Sequence, residues 1–327
     1  MERRSVITGV GKYLPENVLT NYDLEELVDT SDEWIRQRTG IRERRIASED
    51  TPCSYLAEKS ARKALQDAGL SPEELDLILV ATVTPDMMFP ATACLLQERL
   101  GAEAAGAFDL EAGCSGFVYG LSVADKYIRS GGCDNILVVG AETLSKIVDW
   151  EDRSTCVLFG DGAGAAVLQP GNDGGILSTT LGSDGSGGES LFMPAGGSLN
   201  PASESTVANR LHYIKMEGNQ VFKFAVRKMG SASLEVLEQA GLSSDAVDFF
   251  VPHQANTRII EAAASRLDLS LENVIINLPY YGNTSSASVP IALTEAVEKK
   301  QINPGDLIVL VAFGAGLTWA AAALRWI

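Results

Sequence analysis

Three segments of the chain return at a single spacing, and this constrains the fold more than any other feature. LQDAGLS at residues 65–71 reappears as LEQAGLS at 237–243. Asp76 ahead of LILVATV is matched by Asp248 ahead of FFVPH, and Gly132-Cys133-Asp134 ahead of NILVVGAE by Pro304-Gly305-Asp306 ahead of LIVLVAFG. Leu65 and Leu237, Asp76 and Asp248, and Asp134 and Asp306 are each 172 positions apart. Each match joins a helix-like segment to an apolar, β-branched run, so the repeat is an α/β unit present twice. A chain of 327 residues has room for both copies. The Pro-, Gly- and Asn-rich stretch 168–175 marks the seam. It divides an N-terminal half, 1–171, from a C-terminal half, 172–327.

Composition narrows the class. With 46% hydrophobic and 21% charged residues the chain reads as a folded enzyme, and its net charge of −17 opposes binding nucleic acid or an anionic membrane through the whole surface. An anionic partner must then be met by a local basic patch. Five scattered cysteines, Cys53, Cys94, Cys114, Cys133 and Cys156, show neither a disulfide framework nor metal spacing, so no metal is expected and a reducing, cytoplasmic setting is. The apolar run after the basic N-terminus is too short and too glycine-broken for a signal peptide. Leu307 to Leu324 carries no charge over 18 residues, near the lower limit of a spanning helix. Its β-branched start and the Gly314-Ala315-Gly316 break predict two buried strands joined by a turn instead.

The chemistry gathers around EAGCSGF, residues 111–117. Ala107 to Leu110 reads as a buried strand, and Phe117, Leu121, Ala124 and Ile128 lie on one helical face that ends at Gly131-Gly132. Cys114 therefore sits at a helix N-terminus, where the dipole favours thiolate and lowers a cysteine pKa into roughly the 3.5–7.5 range. The alternative is an inert buried thiol. The repeat sets the Cys114 loop against YYGNTSSAS, residues 280–288, and the small residues that follow (Gly116, Gly120, Ser286, Ala287, Ala292) suit helices packed closely at a shared centre. Asn283, otherwise a turn or cap residue, thereby faces Cys114. His253 follows the strand-like VDFFVP, at the strand end where α/β proteins gather their chemistry. Only His212 is left as a second histidine. Gly314-Ala315-Gly316 offers unobstructed backbone N–H groups for an oxyanion. FGDGAGAAVLQP (159–170) lacks the strand–loop–helix context of a dinucleotide site and reads as a tight hairpin. Residues 182–205 read as a surface excursion.

EAGCSGF, VPHQANTRI, YYGNTSSAS, FGAGLTW, FGDGAGAA and TSDEWIRQRTGIRERR together resemble the β-ketoacyl-acyl carrier protein synthase III family of the thiolase superfamily, over residues 30–319. The resemblance implies a five-layered αβαβα fold, a homodimer and no cofactor beyond the substrates acyl-CoA and malonyl-acyl carrier protein (ACP). Cys114 would carry the acyl group, with the amides of Cys114 and Gly316 as oxyanion hole. His253 and Asn283 would stabilise the enolate formed as CO2 leaves. His212, in RLHYIKM, matches no family motif. Trp34, Arg38 and Arg153 match the CoA site, Phe89 the border of the acyl pocket, often from across the dimer, and Lys223 and Arg258 the carrier-protein dock. The residue pattern agrees with these anion sites: residues 34–45 hold five arginines against one Glu, and residues 206–230 are again net +4. Gly113 departs from the alanine usual before the nucleophile. Relatives that condense or transfer acyl groups in secondary metabolism, a non-catalytic partner subunit and a Cys-His-Asn protease are the competing readings. The duplication, the basic islands and the intact residues favour the condensing enzyme.

Overall fold

The computed structural model describes residues 3–327; Met1 and Glu2 of the basic N-terminus lie outside the described residues. The first repeat supplies β1 (Arg4–Tyr13), β2 (Leu77–Ala81), β3 (Gly106–Leu110), β4 (Ile136–Glu142) and β5 (Gly162–Gly171), hydrogen-bonded in the order β1-β5-β4-β2-β3. The second supplies β6 (Gly175–Ser183), β7 (Phe249–Pro252), β8 (Leu307–Gly314) and β9 (Thr318–Arg325), in the order β6-β9-β8-β7. The orders superimpose: β6 takes the place of β1, β9 of β5, β8 of β4 and β7 of β2. Directions repeat as well, with β2 parallel to β4, β7 parallel to β8, and the remaining matched pairs antiparallel. The parallel β3 has no full counterpart. Its equivalent reaches the second sheet only as a bridge between Val274 and Phe250, before Leu278-Pro279 turns the chain into a helix.

The first repeat also forms helices α1 (Cys53–Ala68), α2 (Thr92–Leu100) and α3 (Gly116–Ser130), and the second α4 (Gly218–Gln239), α5 (Thr257–Arg266) and α6 (Ser288–Glu298). Strand alternation assigns their places. Ile78 and Val80 point outward to Leu56, Leu65 and Leu96 of α1 and α2. Leu77 and Leu79 point inward to Phe117 and Leu121 of α3. On the other sheet Val309 and Val311 meet Phe224 and Ile260 of α4 and α5, while Ile308 and Leu310 meet the central layer, where α6 contributes Val289 and Leu293. The result is an αβαβα thiolase-like stack of five layers, whose core strands are buried on both faces and hence read as unbroken apolar runs.

Leu307 to Leu324 forms the two antiparallel strands expected, and no helix among the described residues is long and apolar enough to cross a membrane. FGDGAGAAVLQP corrects the hairpin reading. Phe159 to Asp161 runs straight into β5: Phe159 bridges to Asn283, and the buried Asp161 carboxylate accepts from the amides of Ala47 (2.7 Å) and Ser145 (2.9 Å). The excursion at 182–205 is surface only in part, because it begins as the end of β6 and Leu191-Phe192 pairs with Lys215-Met216.

Candidate active site

The two loops that the repeat sets opposite each other do meet at the centre. Cys114 lies in a short 3-10 turn, Gly113–Ser115, that feeds α3, and it packs on the corresponding turn Ser285–Ala287 ahead of α6. The β8–β9 turn closes the third side. A Cβ on Gly314 would fall 2.4 Å from the Cys114 nitrogen, and a Cβ on Gly113 would fall 2.7 Å from the nitrogen of Ala315. Gly113 also has φ +54°, a left-handed conformation that glycine adopts freely. The departure from alanine thus has a local reason. Gly113→Ala is expected to push the Ala315 turn away from Cys114, costing about 1–3 kcal/mol of stability together with activity; thermal unfolding and steady-state rates measured side by side check this.

The environment of Cys114 overturns the expected thiolate. Burial pushes the thiol up to about 12, the Ser285 hydroxyl opposing and the Glu142 carboxyl adding to the effect. Helix-terminal stabilisation of an anion is a matter of tenths of a kcal/mol to about 2, whereas removing a thiolate from water costs more. The resting nucleophile is therefore the thiol.

His253 follows β7 and is buried. Its Nδ1 lies 2.6 Å from the Ser288 hydroxyl, which also accepts from the Gln254 amide at 3.4 Å. No other acceptor stands within reach of the Ser288 hydroxyl among the described residues, so its O–H donates to Nδ1 and leaves the hydrogen of the neutral ring on Nε2. Nε2 is buried with no hydrogen-bond partner. Burial alone drives the imidazole pKa down to about 3. Below about pH 6.5 the unfolded chain takes up a proton that folded His253 refuses, so stability falls as pH falls, by about 1.4 kcal/mol per unit. Relative to His253→Ala, the wild type should lose about 2 kcal/mol of stability between pH 7 and pH 5; denaturant unfolding at the two pH values checks this.

Asn283 is fixed by its own loop. Its amide donates to the Leu158 carbonyl (2.9 Å), its carbonyl accepts from Gly160 (3.0 Å), and its Oδ1 accepts from the Ser285 amide (2.9 Å). The acceptor end of the carboxamide is thus engaged and the NH2 end is free. Cys114, His253 and Asn283 all line one cavity of about 90 Å³, walled by apolar side chains including Phe159, Val221, Phe222 and Phe313. Phe313 sets the edge of the His253 ring, 5.3 Å between centroids. Gly314 borders this cavity and Gly316 does not; Gly316 stands beside Thr318 and Gly188.

The residues expected to hold CoA also cluster. The Arg153 guanidinium lies 5.0 Å from the Trp34 ring centroid and that of Arg38 lies 6.0 Å from it. The count of five arginines overstated this island. Arg44 is fully buried, donating to Asn21 and to the carbonyls of Leu19 and Val157, while Arg36 pairs with Asp32 and Arg45 with Glu43. In the second island Arg210 and Lys215 are likewise paired with Asp149. Lys223, Arg227 and Arg258 remain exposed, and Arg258 stacks 5.1 Å from Phe222 at the cavity wall. His212 bonds Thr206 at 2.9 Å, away from the cavity. Phe89 is 85% exposed and does not line the cavity of its own chain. The sequence reading missed Glu142, buried beneath the Cys114 and Asn283 loops; an acidic residue closing an apolar strand was the available signal.

Fold and site together define an acyl-transferring condensing enzyme of the thiolase fold. Family models for 3-oxoacyl-(acyl-carrier-protein) synthase III match residues 108–185 and, for its C-terminal part, 237–326. The β-ketoacyl-(acyl-carrier-protein) synthase III of Caldanaerobacter subterraneus is 60% identical over 321 residues, covering 98% of this chain and 97% of that protein. The crystal structure of the Aquifex aeolicus 3-oxoacyl-(acyl-carrier-protein) synthase III is 52% identical with a TM-score of 0.91, covering 98% of this chain and 100% of that one. The priming β-ketosynthase of the R1128 polyketide pathway is 40% identical with a TM-score of 0.92, covering 99% and 97%. The chain belongs to the β-ketoacyl-acyl carrier protein synthase III family.

Proposed function

We propose that the chain condenses an acyl-CoA primer with malonyl-ACP, releasing CoA and CO2 and giving 3-oxoacyl-ACP, the first condensation of type II fatty acid synthesis. The convergence of a thiol, an unpartnered Nε2–H and a free carboxamide NH2 on one buried, apolar cavity carries this reading. Cys114 takes the acyl group as a thioester. The oxyanion of that transfer is met by the Cys114 amide and an amide of the β8–β9 turn, for which Ala315, abutting the Cys114 loop, replaces Gly316. Malonyl-ACP then enters. As CO2 leaves, the thioester oxygen becomes an enolate, and His253 and Asn283 donate to it. Two neutral donors in a water-poor site suit developing negative charge without stabilising the substrate equally. The carbon nucleophile attacks the acyl-Cys114 carbonyl, and the sulfur leaves.

No further cofactor is needed for these steps. Trp34, with two guanidinium groups near its ring, offers a stacking face for adenine, with Arg38 and Arg153 for phosphate. Lys223 and Arg258 face an acidic carrier protein near the Phe222 wall. Met87, Met88 and Phe89 are 49%, 79% and 85% exposed in one run, which suits a homodimer in which Phe89 borders the partner's acyl pocket. The setting is cytoplasmic. Priming of a polyketide pathway is the second reading, favoured by the equal fit of the R1128 ketosynthase. The test is CO2 release from malonyl-ACP across acyl-CoA primers of graded length and branching. Primer-dependent release is expected, and none with any short primer contradicts the proposal.

A further inference from the structure

The second repeat lacks the strand pairing that carries the nucleophile turn in the first. In the first repeat β3 lies along β2 from Gly106 to Leu110 and then leads into the Cys114 turn. The spacing of 172 carries Gly106–Leu110 onto residues 278–282, and it carries the turn 113–115 onto 285–287, where the second repeat does form its turn. Residues 278–282 form no strand. Leu278–Tyr281 is a helix with Pro279 in its first turn, and among the described residues the main-chain bonding to β7 stops at Ile275, whose amide donates to the Phe250 carbonyl at 2.9 Å. Backbone groups of residues two apart in a parallel strand face the same neighbour, so the carbonyls of Phe250 and Pro252 both point to the side that β3 occupies in the first repeat. The Pro252 carbonyl is thus left without a strand.

Gln254, next to His253 and 1% exposed, fills that gap. Its Nε2 donates to the carbonyls of Pro252 (2.7 Å) and Ile275 (3.1 Å), and its Oε1 accepts from the amides of Asn277 (3.0 Å) and Leu278 (3.1 Å). Two carbonyls can only accept and two amides can only donate, so the carboxamide has a single orientation. It supplies the donor and acceptor of a peptide unit where the strand is missing. The stretch it grips runs through the helix Leu278–Tyr281 directly to Asn283. Other elements hold that stretch too: Glu295 of α6 accepts from Asn277 Nδ2 (3.1 Å) and the Tyr281 hydroxyl (2.7 Å), and the main chain of Asn283 bonds Leu158 and Gly160. Gln254 is the one of these that ties it to the strand end carrying His253.

We propose that Gln254 is the positioning residue that sets Asn283 opposite His253, its carboxamide replacing the missing strand and fixing the separation of the two enolate donors. The inference rests on the reading of His253 and Asn283 given above. Gln254 does not line the cavity, so it acts through its neighbours. The Asn283 NH2 must reach the same oxygen that His253 Nε2 reaches, and a misplacement of about 1 Å is enough to cost on the order of 10²-fold in rate. Cys114 sits on the other repeat, where the β2–β3 ladder leads into its turn. Its acylation should be indifferent to Gln254.

The test measures primer-free CO2 release from malonyl-ACP, acyl-Cys114 formation from acetyl-CoA by intact mass, and Tm. The proteins are the wild type, Gln254→Met and Gln254→Glu, each with and without Asn283→Ala. Gln254→Met keeps the length of the side chain and removes its hydrogen bonds, whereas Gln254→Glu keeps the acceptor end and sets an oxygen against the two carbonyls. Both should lower kcat for CO2 release, Gln254→Met on the order of 10²-fold, with KM for malonyl-ACP close to the wild type and acylation intact. With Asn283→Ala present, either substitution should add little, because residues acting through one contact are not additive. If Gln254→Met does not melt cooperatively, Gln254→Glu carries the comparison. Wild-type CO2 release in the Gln254 variants overturns the inference. So does an equal fall of acylation and CO2 release, the same fold-loss with and without the Asn283 carboxamide, or loss of the cooperative melt in both variants, each of which makes Gln254 a support of the fold as a whole. A wild type that releases no CO2 removes the decarboxylating reading itself, and this inference with it.

Discussion

Cys114→Ala is expected to lose condensation by on the order of 10⁴-fold or more, the scale on which removal of a covalent nucleophile acts. No other thiol can substitute. Cys53 and Cys156 are buried elsewhere in the stack, Cys94 and Cys133 lie on the outer helix and at a strand entry, and none lines the cavity. The fold should persist, because alanine keeps the backbone of the 113–115 turn and removes only a sulfur. His253 and Asn283 remain in place, so the variant should still release CO2 from malonyl-ACP without a primer. Paired assays of 3-oxoacyl-ACP and CO2 read the two halves separately. Parallel loss of both would mean that Cys114 holds the site together instead of carrying the acyl group.

His253→Ala and Asn283→Ala should show the reverse division. Each removes one donor from the enolate, which costs roughly 10²–10³-fold in the decarboxylating step, or about 2.7–4 kcal/mol. The acyl adduct on Cys114 should still form. Asn283→Asp is the sharper variant. Its Oδ1 can still accept from the Ser285 amide, so the loop geometry survives, but a carboxylate then faces the developing enolate. Its decarboxylation rate should fall below that of Asn283→Ala. An Asp variant as active as the wild type would show that Asn283 does not donate to the oxyanion.

The architecture was legible because duplication imposes one strand order twice, and the matched segments at a spacing of 172 end the matched helices α1 and α4 or lead into the matched strands β2 and β7, β4 and β8. The facing of Cys114 and Asn283 followed from the same repeat. Charge counting did worse, since arginines at 36, 44 and 45 are spent on Asp32, on the buried Asn21 and main-chain carbonyls, and on Glu43. Sequence spacing cannot distinguish such internal pairing from a free anion site. It also misjudged the Cys114 proton, because helix position is local and visible in sequence whereas desolvation is set by the whole second repeat. Glu142 escaped for the same reason: its partners come from residues 82–84 and 285–286, far apart in the chain.

The most direct test of the central claim, that Cys114 carries the acyl group while the opposite loop prepares the carbon nucleophile, is the mass of the intact protein after incubation with acyl-CoA alone. The wild type and His253→Ala should each gain one acyl group, mapped to the Cys114 peptide, and Cys114→Ala none; subsequent malonyl-ACP should discharge the adduct from the wild type only. A wild type that gains no mass with acetyl-, branched- or longer acyl-CoA, or one acylated elsewhere than Cys114, would contradict it.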